Sequence, residues 1–583
     1  MKDPAQQPSP HSPNMAARFT HHPILATLCL VSCVPVFWFF LQTQTNFAKL
    51  AILGIELWLL TIVYRVTLHP LAKYPGPWYA VCAEFYNLFS CLCGERHLHF
   101  KIWHDTYGPV VRYAPNRLSF CTAEAVQAIY GVRANTQKSQ VYNGFNIPFE
   151  ASATLTCIDR GEHAFKRRIL KQALEPSRLG DFENSILENT RVLTGTVLGG
   201  VKEENWSHVV DLSETIQYLF TDMMGETIFS KKLEVQTSKT NRFIPELLPT
   251  ATAGIHAAGH VVLTLKLQLH RFLFPGMMRG VFRFIDLSRQ QCIDRIRDSA
   301  TIPHHDVFSS LIDEKARQER QETELKSHKP SKKQYSLTLK DLTAEAGILM
   351  VAGADTSATC TVSTLFYLLH YPDMLAKVRT ELDSVFPPDA PGGIENITPS
   401  TVAKCKYLYA CIDEAMRLSP PVSGLLPREV LPGGITIADR WVIPAGVDVG
   451  VPAYAIHRDE RYWSAPHTFM PERWLDSSDK TQNEKPDSKD VFMPFGVGRT
   501  ICVGKAIAYQ EMGVVLARML WAYDFQVVSK EARGWRKLYW DYVSERQEWG
   551  RTQENEFQML DVFTSYHEGP LVQLRKRSGR DLQ

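Results

Sequence analysis

The sequence predicts a mainly α protein with a small β region, set behind an N-terminal membrane anchor. Three observations predict it. Long stretches repeat apolar residues at helical spacing, above all Leu339–His370 and Tyr407–Leu418. Short alternating stretches around Gly434–Val451 and Phe563–Leu574 read as strands. Ahead of both, Ile24–Leu41 runs for eighteen residues without a charge.

Residues 1–23 are polar and rich in proline and histidine. As a helix, Ile24–Leu41 spans ~27 Å, close to the hydrocarbon thickness of a bilayer. Polar Gln42–Asn46 follows instead of a small-residue cleavage site, so the run reads as an uncleaved anchor. A second apolar run, Phe47–Tyr64, carries Lys49 and Glu56. A carboxylate at mid-membrane costs about 2.5 to 3.5 kcal/mol. The run therefore either returns across the bilayer or lies in its interface, and residues 24–64 are the anchor in both cases. Arg65, His69 and Lys73 follow it and favour the cytoplasmic side. Residues 65–77 end in Tyr74-Pro-Gly-Pro77, a stiff, non-helical hinge. The globule then occupies 78–583.

Within the globule, Glu314–Lys340 is charged and nearly free of large apolar residues, and reads as a solvated loop. Pro387–Pro399 is a second loop, and no internal repeat is present. A net charge of +2 on 583 residues excludes a nucleic-acid binder at the level of bulk electrostatics. The twelve cysteines show no zinc-type spacing, and reduced, buried thiols fit a cytosolic globule.

One cysteine stands apart. Phe492-Met-Pro-Phe-Gly-Val-Gly-Arg-Thr-Ile-Cys502-Val-Gly-Lys is a glycine-flanked loop that turns into a helical run, Ala506–Leu520. Gly496, Gly498 and Gly504 let the backbone lie flat against a planar ligand. A sulfur near a helix N-terminus is favoured as thiolate, and a lone thiolate suits haem iron, where it promotes O–O cleavage. Three further signals accompany it. Glu414-Ala-Met-Arg417 places a carboxylate and a guanidinium on one helix face, and Arg473 of Pro471-Glu-Arg473-Trp474 supplies a second guanidinium for a buried triad. Ala352-Gly353-Ala354-Asp355-Thr356-Ser357 interrupts a helix with a glycine costing about 1 kcal/mol. There a threonine back-bonded to the preceding turn opens a groove, and Asp355 and Thr356 relay protons. His163-Ala-Phe-Lys-Arg167-Arg168 puts His163 and Arg167 one turn apart, facing carboxylates.

Together and in this order, these elements resemble the cytochrome P-450 (P450) family of haem-thiolate monooxygenases, from about Tyr74 to the C-terminus. Thr67–Pro77 is similar to the entry segment of its membrane-bound filamentous-fungal members. The resemblance implies the cytochrome P-450 fold as a single large domain, and haem b with a cysteine thiolate as axial ligand. It implies Cys502 as that ligand, with Phe495 packed by the sulfur and Gly504 close to the cofactor. It implies Glu414, Arg417 and Arg473 as the structural triad, Asp355 and Thr356 as the catalytic acid–alcohol pair, and His163, Arg167, Arg428 and Arg499 as propionate contacts. Two positions depart from the family pattern. The arginine expected two residues before the cysteine is Thr500, with Arg499 one place earlier, and His163 stands where tryptophan is common.

The resemblance further implies insertion of one oxygen atom from O2 into an apolar small molecule, a hydroxylation or related oxidation of fungal secondary metabolism. No dinucleotide fingerprint or flavin domain is present, so electrons are expected from a separate NADPH-cytochrome P-450 reductase, with cytochrome b5 as a further donor, in the endoplasmic reticulum membrane. Lys166, Arg167, Arg168, Lys171, Arg499 and Lys505 are candidates for a basic docking face. The pocket segments are expected at Ala134–Leu155, Ile216–Val262, near Ala354, Val422–Leu426 and near Ser565. A haem-thiolate isomerase or dehydratase, or a non-catalytic haem-binding membrane protein, are the alternatives; the intact Asp355-Thr356 pair speaks against the first.

Overall fold

The computed structural model describes residues 46–261, 275–300, 306–324, 335–475, 488–528 and 555–582, with 267 and 269 besides. The apolar run 24–41 lies outside them. The second run forms one helix, α1 (Asn46–Thr67). Its stretch Lys49–Thr67 has a mean hydropathy of 1.7 over 19 residues and is not buried by the rest of the chain, so it is long and apolar enough to cross a membrane.

The segment after α1 is non-helical, and it is also docked. Leu71 and Tyr74 are buried in the core beneath the larger sheet, and the Arg112 amide donates to the Pro75 carbonyl at 2.7 Å. A Cβ on Gly76 would lie 2.1 Å from the Arg112 carbonyl oxygen, so only glycine permits this approach.

Among the described residues there are twelve strands, β1 (Val110–Ala114), β2 (Arg117–Phe120), β3 (Thr136–Lys138), β4 (Val210–Asp211), β5 (Arg428–Val430), β6 (Ile435–Ile437), β7 (Trp441–Ile443), β8 (Asp448–Gly450), β9 (Tyr523–Val527), β10 (Leu560–Val562), β11 (Thr564–Tyr566) and β12 (Leu571–Lys576). They form a five-stranded sheet ordered β1-β2-β8-β5-β3, a three-stranded sheet β4-β12-β9, and the pairs β6-β7 and β10-β11. The strands expected at 434–451 and 563–574 are among them.

The helices that build the site are α2 (Asn143–Phe149), α3 (Arg160–Ala173), α4 (Leu212–Phe229), α5 (Phe243–His260), α6 (Pro275–Arg297), α7 (Val307–Glu324), α8 (Leu339–His370), α9 (Lys406–Leu418) and α10 (Lys505–Ala522). The start of α8 is fixed by a capping box in which the Thr338 and Asp341 side chains bond each other's amides. It is apolar nearly all round because α4, α6, α9 and α10 pack against it. The cost of Gly353 is offset here: a Cβ would lie 2.0 Å from the Met224 sulfur, so the glycine lets α4 close onto α8. The expectation of a loop at 314–340 is corrected over its first part, since α7 continues to Glu324. Val307, Phe308 and Leu311 anchor its first turns in the core, and the helix continues through the charged residues.

Candidate active site

Buried charge on α9 organises one side of the site. Glu414 and Arg417 are fully buried. Arg417 donates to both Glu414 oxygens, at 3.0 Å from Nε and 2.8 Å from Nη2. Arg473 Nε adds a bond at 3.1 Å, Trp474 Nε1 one at 2.9 Å and the Met470 amide one at 2.9 Å. Burial pushes the Glu414 carboxyl up, but Arg417 and Arg473 outweigh it and hold the group below its ordinary range. The remaining Arg417 donors go to the carbonyls of His457, Pro466 and Thr468. This knot ties α9 to the chain leading into the cysteine loop.

The loop itself folds as its glycines require. Gly496 and Gly498 have φ of 71° and 66°, whereas Gly504 has an ordinary φ of −86° and starts α10. A Cβ on Gly498 would meet the Tyr130 carbonyl oxygen at 2.2 Å. The Cys502 amide donates to the Phe495 carbonyl at 2.8 Å, which closes the loop and turns the thiol outward. The sulfur is solvent-accessible only because it opens onto an internal cavity. Burial raises its pKa, while the amides of Gly504 and Lys505 and the charge of Arg167 act to lower it.

That cavity has a volume of about 310 Å³. Phe495, Gly504 and Cys502 lie along it on one side, Gly353 and Thr356 of α8 on another, and His163, Arg167 and Arg428 on a third. Sequence reasoning missed a fourth basic residue there, Lys138. The β3-β5 pairing sets Lys138 directly opposite Arg428, an arrangement of like charges that is unfavourable by itself. A strand-period pattern around 136–138 is too short to be read from sequence, so the pairing carried no signal there.

The four basic residues share one neighbourhood, Lys138 and Arg428 buried and His163 and Arg167 half-buried. Burial, then the charges of Lys138, Arg167 and Arg428, push His163 down to about 3. Burial and Arg428 push Lys138 down to about 7, its Nζ donating to the Thr154 carbonyl at 2.7 Å. Burial lowers Arg167 as well. Glu345 is the nearby carboxylate, and it is occupied by the Thr154 amide and hydroxyl. A ligand that brings its own anionic groups to this rim, offers an apolar disc to the cavity and accepts a thiolate from below fits these residues.

Not every expected contact reaches the cavity. Arg499 points away, its Nη2 donating to the Ala134 carbonyl at 2.7 Å. Thr500, at the position two before Cys502, lines the cavity and accepts from Arg428 Nη2 at 2.9 Å. Thr356 donates back to the Ala352 carbonyl at 2.6 Å. Asp355 faces away from the cavity, towards α4 and β11. The docking face is also reduced: Lys166 is buried and bonded to Ser152 and to Asp341 at 2.8 Å, and Arg167 lines the cavity. Lys166 is absorbed because it sits on the face of α3 that packs inward.

A second group of ligand-type side chains, buried Cys91, His256 and His260, lies elsewhere. Arg117 donates to His260 Nδ1, and the charge of Arg96 bears on all three residues.

The family model for Cytochrome P450 matches residues 75–536. The chain belongs to the cytochrome P450 family. It is 32% identical over 520 residues to "Cytochrome P450 monooxygenase AKT7" of Alternaria alternata, covering 88% of this chain and 94% of that one. It is 30% identical to "Cytochrome P450 monooxygenase poxM" of Penicillium oxalicum (strain 114-2 / CGMCC 5302), covering 88% and 92%. The crystal structure of the cytochrome P450DA heme domain matches with a TM-score of 0.62 at 16% identity, over 84% of this chain and 95% of that one, which shows the shared fold. This P450 is therefore a haem-thiolate monooxygenase that inserts oxygen into its substrate. As a family member it depends on a redox partner and acts on a small molecule.

Proposed function

We propose that Cys502 supplies the axial thiolate, that His163, Arg167, Arg428 and Lys138 hold the haem propionates, and that Phe495 and Gly504 pack against the cofactor on the sulfur side. The reading is carried by one observation: the Cys502 thiol and the basic groups of Lys138, Arg167 and Arg428, none of them in an ion pair among the described residues, open onto the same cavity. Bound there, the haem supplies the activation of dioxygen for insertion into a C–H bond. The chain does the rest. Gly496 and Gly498 keep the loop flat, the Gly504 and Lys505 amides steady the sulfur, and Thr356 and Asp355 manage protons on the α8 side. Glu414, Arg417 and Arg473 hold the cysteine loop in register with α9.

The substrate is an apolar small molecule, and the reaction is a hydroxylation or related oxidation in fungal secondary metabolism. The wall supports this: Phe145, Phe149, Leu248, Ile255 and Phe563 line the cavity away from the cysteine. Electrons come from an NADPH-cytochrome P-450 reductase, with cytochrome b5 as a further donor. Residues 24–64 anchor the protein in the endoplasmic reticulum membrane, residues 65–77 join the anchor to the globule, and the catalytic domain 78–583 faces the cytosol. The exposed apolar face of α1 supports the membrane part of this reading.

The test is a carbon-monoxide difference spectrum of the reduced protein. Wild type should show the red-shifted Soret band of a thiolate-bound haem, and Cys502→Ser should lose it. A thiolate-type band that survives in Cys502→Ser would mean another sulfur binds the iron.

A further inference from the structure

Asp355 and Thr356 are neighbours on α8, and a helix turns adjacent residues to different faces. Thr356 lines the cavity. Asp355 is buried behind it with each carboxylate oxygen engaged: Oδ1 accepts from Gln217 Nε2 at 2.8 Å and Oδ2 from Thr564 Oγ1 at 3.3 Å. Of these two partners, Thr564 also lines the cavity. Its position is fixed by the next residue, because Thr359 of α8 donates both to the Asp355 carbonyl at 2.8 Å and to the Ser565 carbonyl at 3.0 Å. β11 is thereby pinned along α8 with the Thr564 hydroxyl between the acid and the cavity.

We propose that Thr564 is the relay residue through which Asp355 delivers protons to the cavity. This rests on the reading of Asp355 as the proton source. In the step, the Asp355 Oδ2–H bond breaks and a new O–H bond forms at Thr564 Oγ1, while the hydroxyl's original proton passes to a water oxygen in the cavity. The Thr564 hydroxyl, which donates to the carboxylate once the acid is ionised, turns to the cavity water when Asp355 is protonated; two protons then shift in series, one net proton reaches the cavity, and no electrons move. Asp355 is left as a carboxylate that keeps the Gln217 amide, and it recovers a proton from solvent on the half-buried Gln217 side. At 3.3 Å the contact is longer than a relaxed O–H···O bond, as proton-transfer contacts often are before the reacting complex tightens them. Burial supports the donor role by pushing Asp355 up to about 6, against the pull of Gln217 and Thr564, so roughly a tenth of the acid is protonated at pH 7 and the proton is given up readily. A sequence motif shows the acid and alcohol of α8 and cannot show this third group, which lies 209 residues away.

The haem-loaded enzyme tests it with Thr564→Val, which keeps the shape and removes the hydroxyl, Thr564→Ser, which keeps the hydroxyl, and Asp355→Asn. Two quantities are read: peroxide released per NADPH oxidised in the presence of the flavoprotein reductase, and the pH midpoint of the Asp355 carboxyl band in infrared difference spectra, assigned by its loss in Asp355→Asn. Thr564→Val should raise peroxide release several-fold, at the lower end of proton-delivery effects that run to about 100-fold or more. It should also move the midpoint above about 6, because a bond stabilising the carboxylate is gone. Thr564→Ser should match wild type in both. Peroxide release unchanged in Thr564→Val while Asp355→Asn leaks would overturn the relay and leave the acid's role standing. No leak in either variant would remove the acid's role as well. A leak in Thr564→Val with an unmoved midpoint also overturns the proposal, since the hydroxyl then does not reach the acid.

Discussion

Two buried clusters of charge stand on either side of the cysteine loop, and they are built on opposite terms. The Glu414 knot is complete in itself: one carboxylate receives two guanidinium groups, an indole and an amide, and the spare donors of Arg417 end on carbonyls. The rim formed by Lys138, His163, Arg167 and Arg428 is incomplete, for the cations press on one another and two of them sit face to face across a strand pair. A buried charge without a partner is costly unless something else neutralises it. The first cluster therefore belongs to the fold and the second to a ligand, although each includes basic residues that read in sequence alike, Arg417 in one and Arg167 in the other, as charges on a helix face.

The sharpest way to break this contrast is to remove the hub of the complete cluster. Glu414→Gln leaves two guanidinium charges buried and should destabilise the enzyme by about 3 to 5 kcal/mol, the usual cost of breaking a buried pair from one side. The denaturant midpoint and the yield of thiolate-type haem protein check this. The pH dependence follows from the same geometry. Glu414 is held below its ordinary range, so its contribution is present above its unfolded pKa and is lost as pH falls through the lower folded value. An unchanged midpoint in Glu414→Gln would make the knot an incidental surface pair.

The incomplete cluster should answer differently. Lys138→Met removes a charge that the haem-free chain holds at a cost and that the propionates would need. Haem should leave the variant about tenfold faster or more, from loss of a charge-assisted bond worth roughly 1.5 to 3 kcal/mol. The folded pKa of Lys138, about 7, lies below its unfolded value, so its neutral form is the one the haem-free fold favours. Stability from this group is present above the unfolded pKa and is lost as pH falls to about 7, at roughly 1.4 kcal/mol per pH unit. The difference between wild type and Lys138→Met in haem-free denaturation, followed from pH 7 upward, reads that slope directly. A flat difference would show that the rim already has its counter-charge.

How much of this was legible in sequence depended on the range of the contacts. The long helix over 339–370 and the helix over 407–418 show in apolar spacing because their periodicity is local, and Glu414 with Arg417 share one helical face by the same rule. Cys502 is legible because Gly496 and Gly498 mark a left-handed backbone that residues with a side chain rarely adopt. Lys138 and Thr564 are different in kind. Their segments were expected near the pocket, but each side chain reaches its place through strand pairing or hairpin docking with a segment hundreds of residues away, and that register leaves no trace in the local sequence. Lys166 failed in the other direction: it reads as a solvated base, and only the packing of α3 shows its ammonium absorbed by Asp341 and Glu162. The charged run after residue 314 misled for a similar reason, since a helix anchored by apolar residues at its start continues through a polar sequence to Glu324.

The finest test of the contrast is Arg499, a cation beside the rim that belongs to neither cluster. Position in the loop nominates it for the cofactor, yet its guanidinium donates to the Ala134 carbonyl, while Thr500 takes the place facing the cavity and bonds Arg428. Arg428 is buried and sits between Tyr142, Thr500 and the cavity, so Arg428→Ala should speed haem release as strongly as Lys138→Met. Arg499→Ala removes one half-buried bond to a backbone carbonyl, worth about 0.5 to 1.5 kcal/mol of stability, and should leave haem release within about twofold of wild type. Release measured by transfer to a haem-accepting globin separates the two variants. If Arg499→Ala sheds haem as fast as Arg428→Ala, the loop reorganises when the cofactor binds, and Arg499 then belongs with the incomplete cluster.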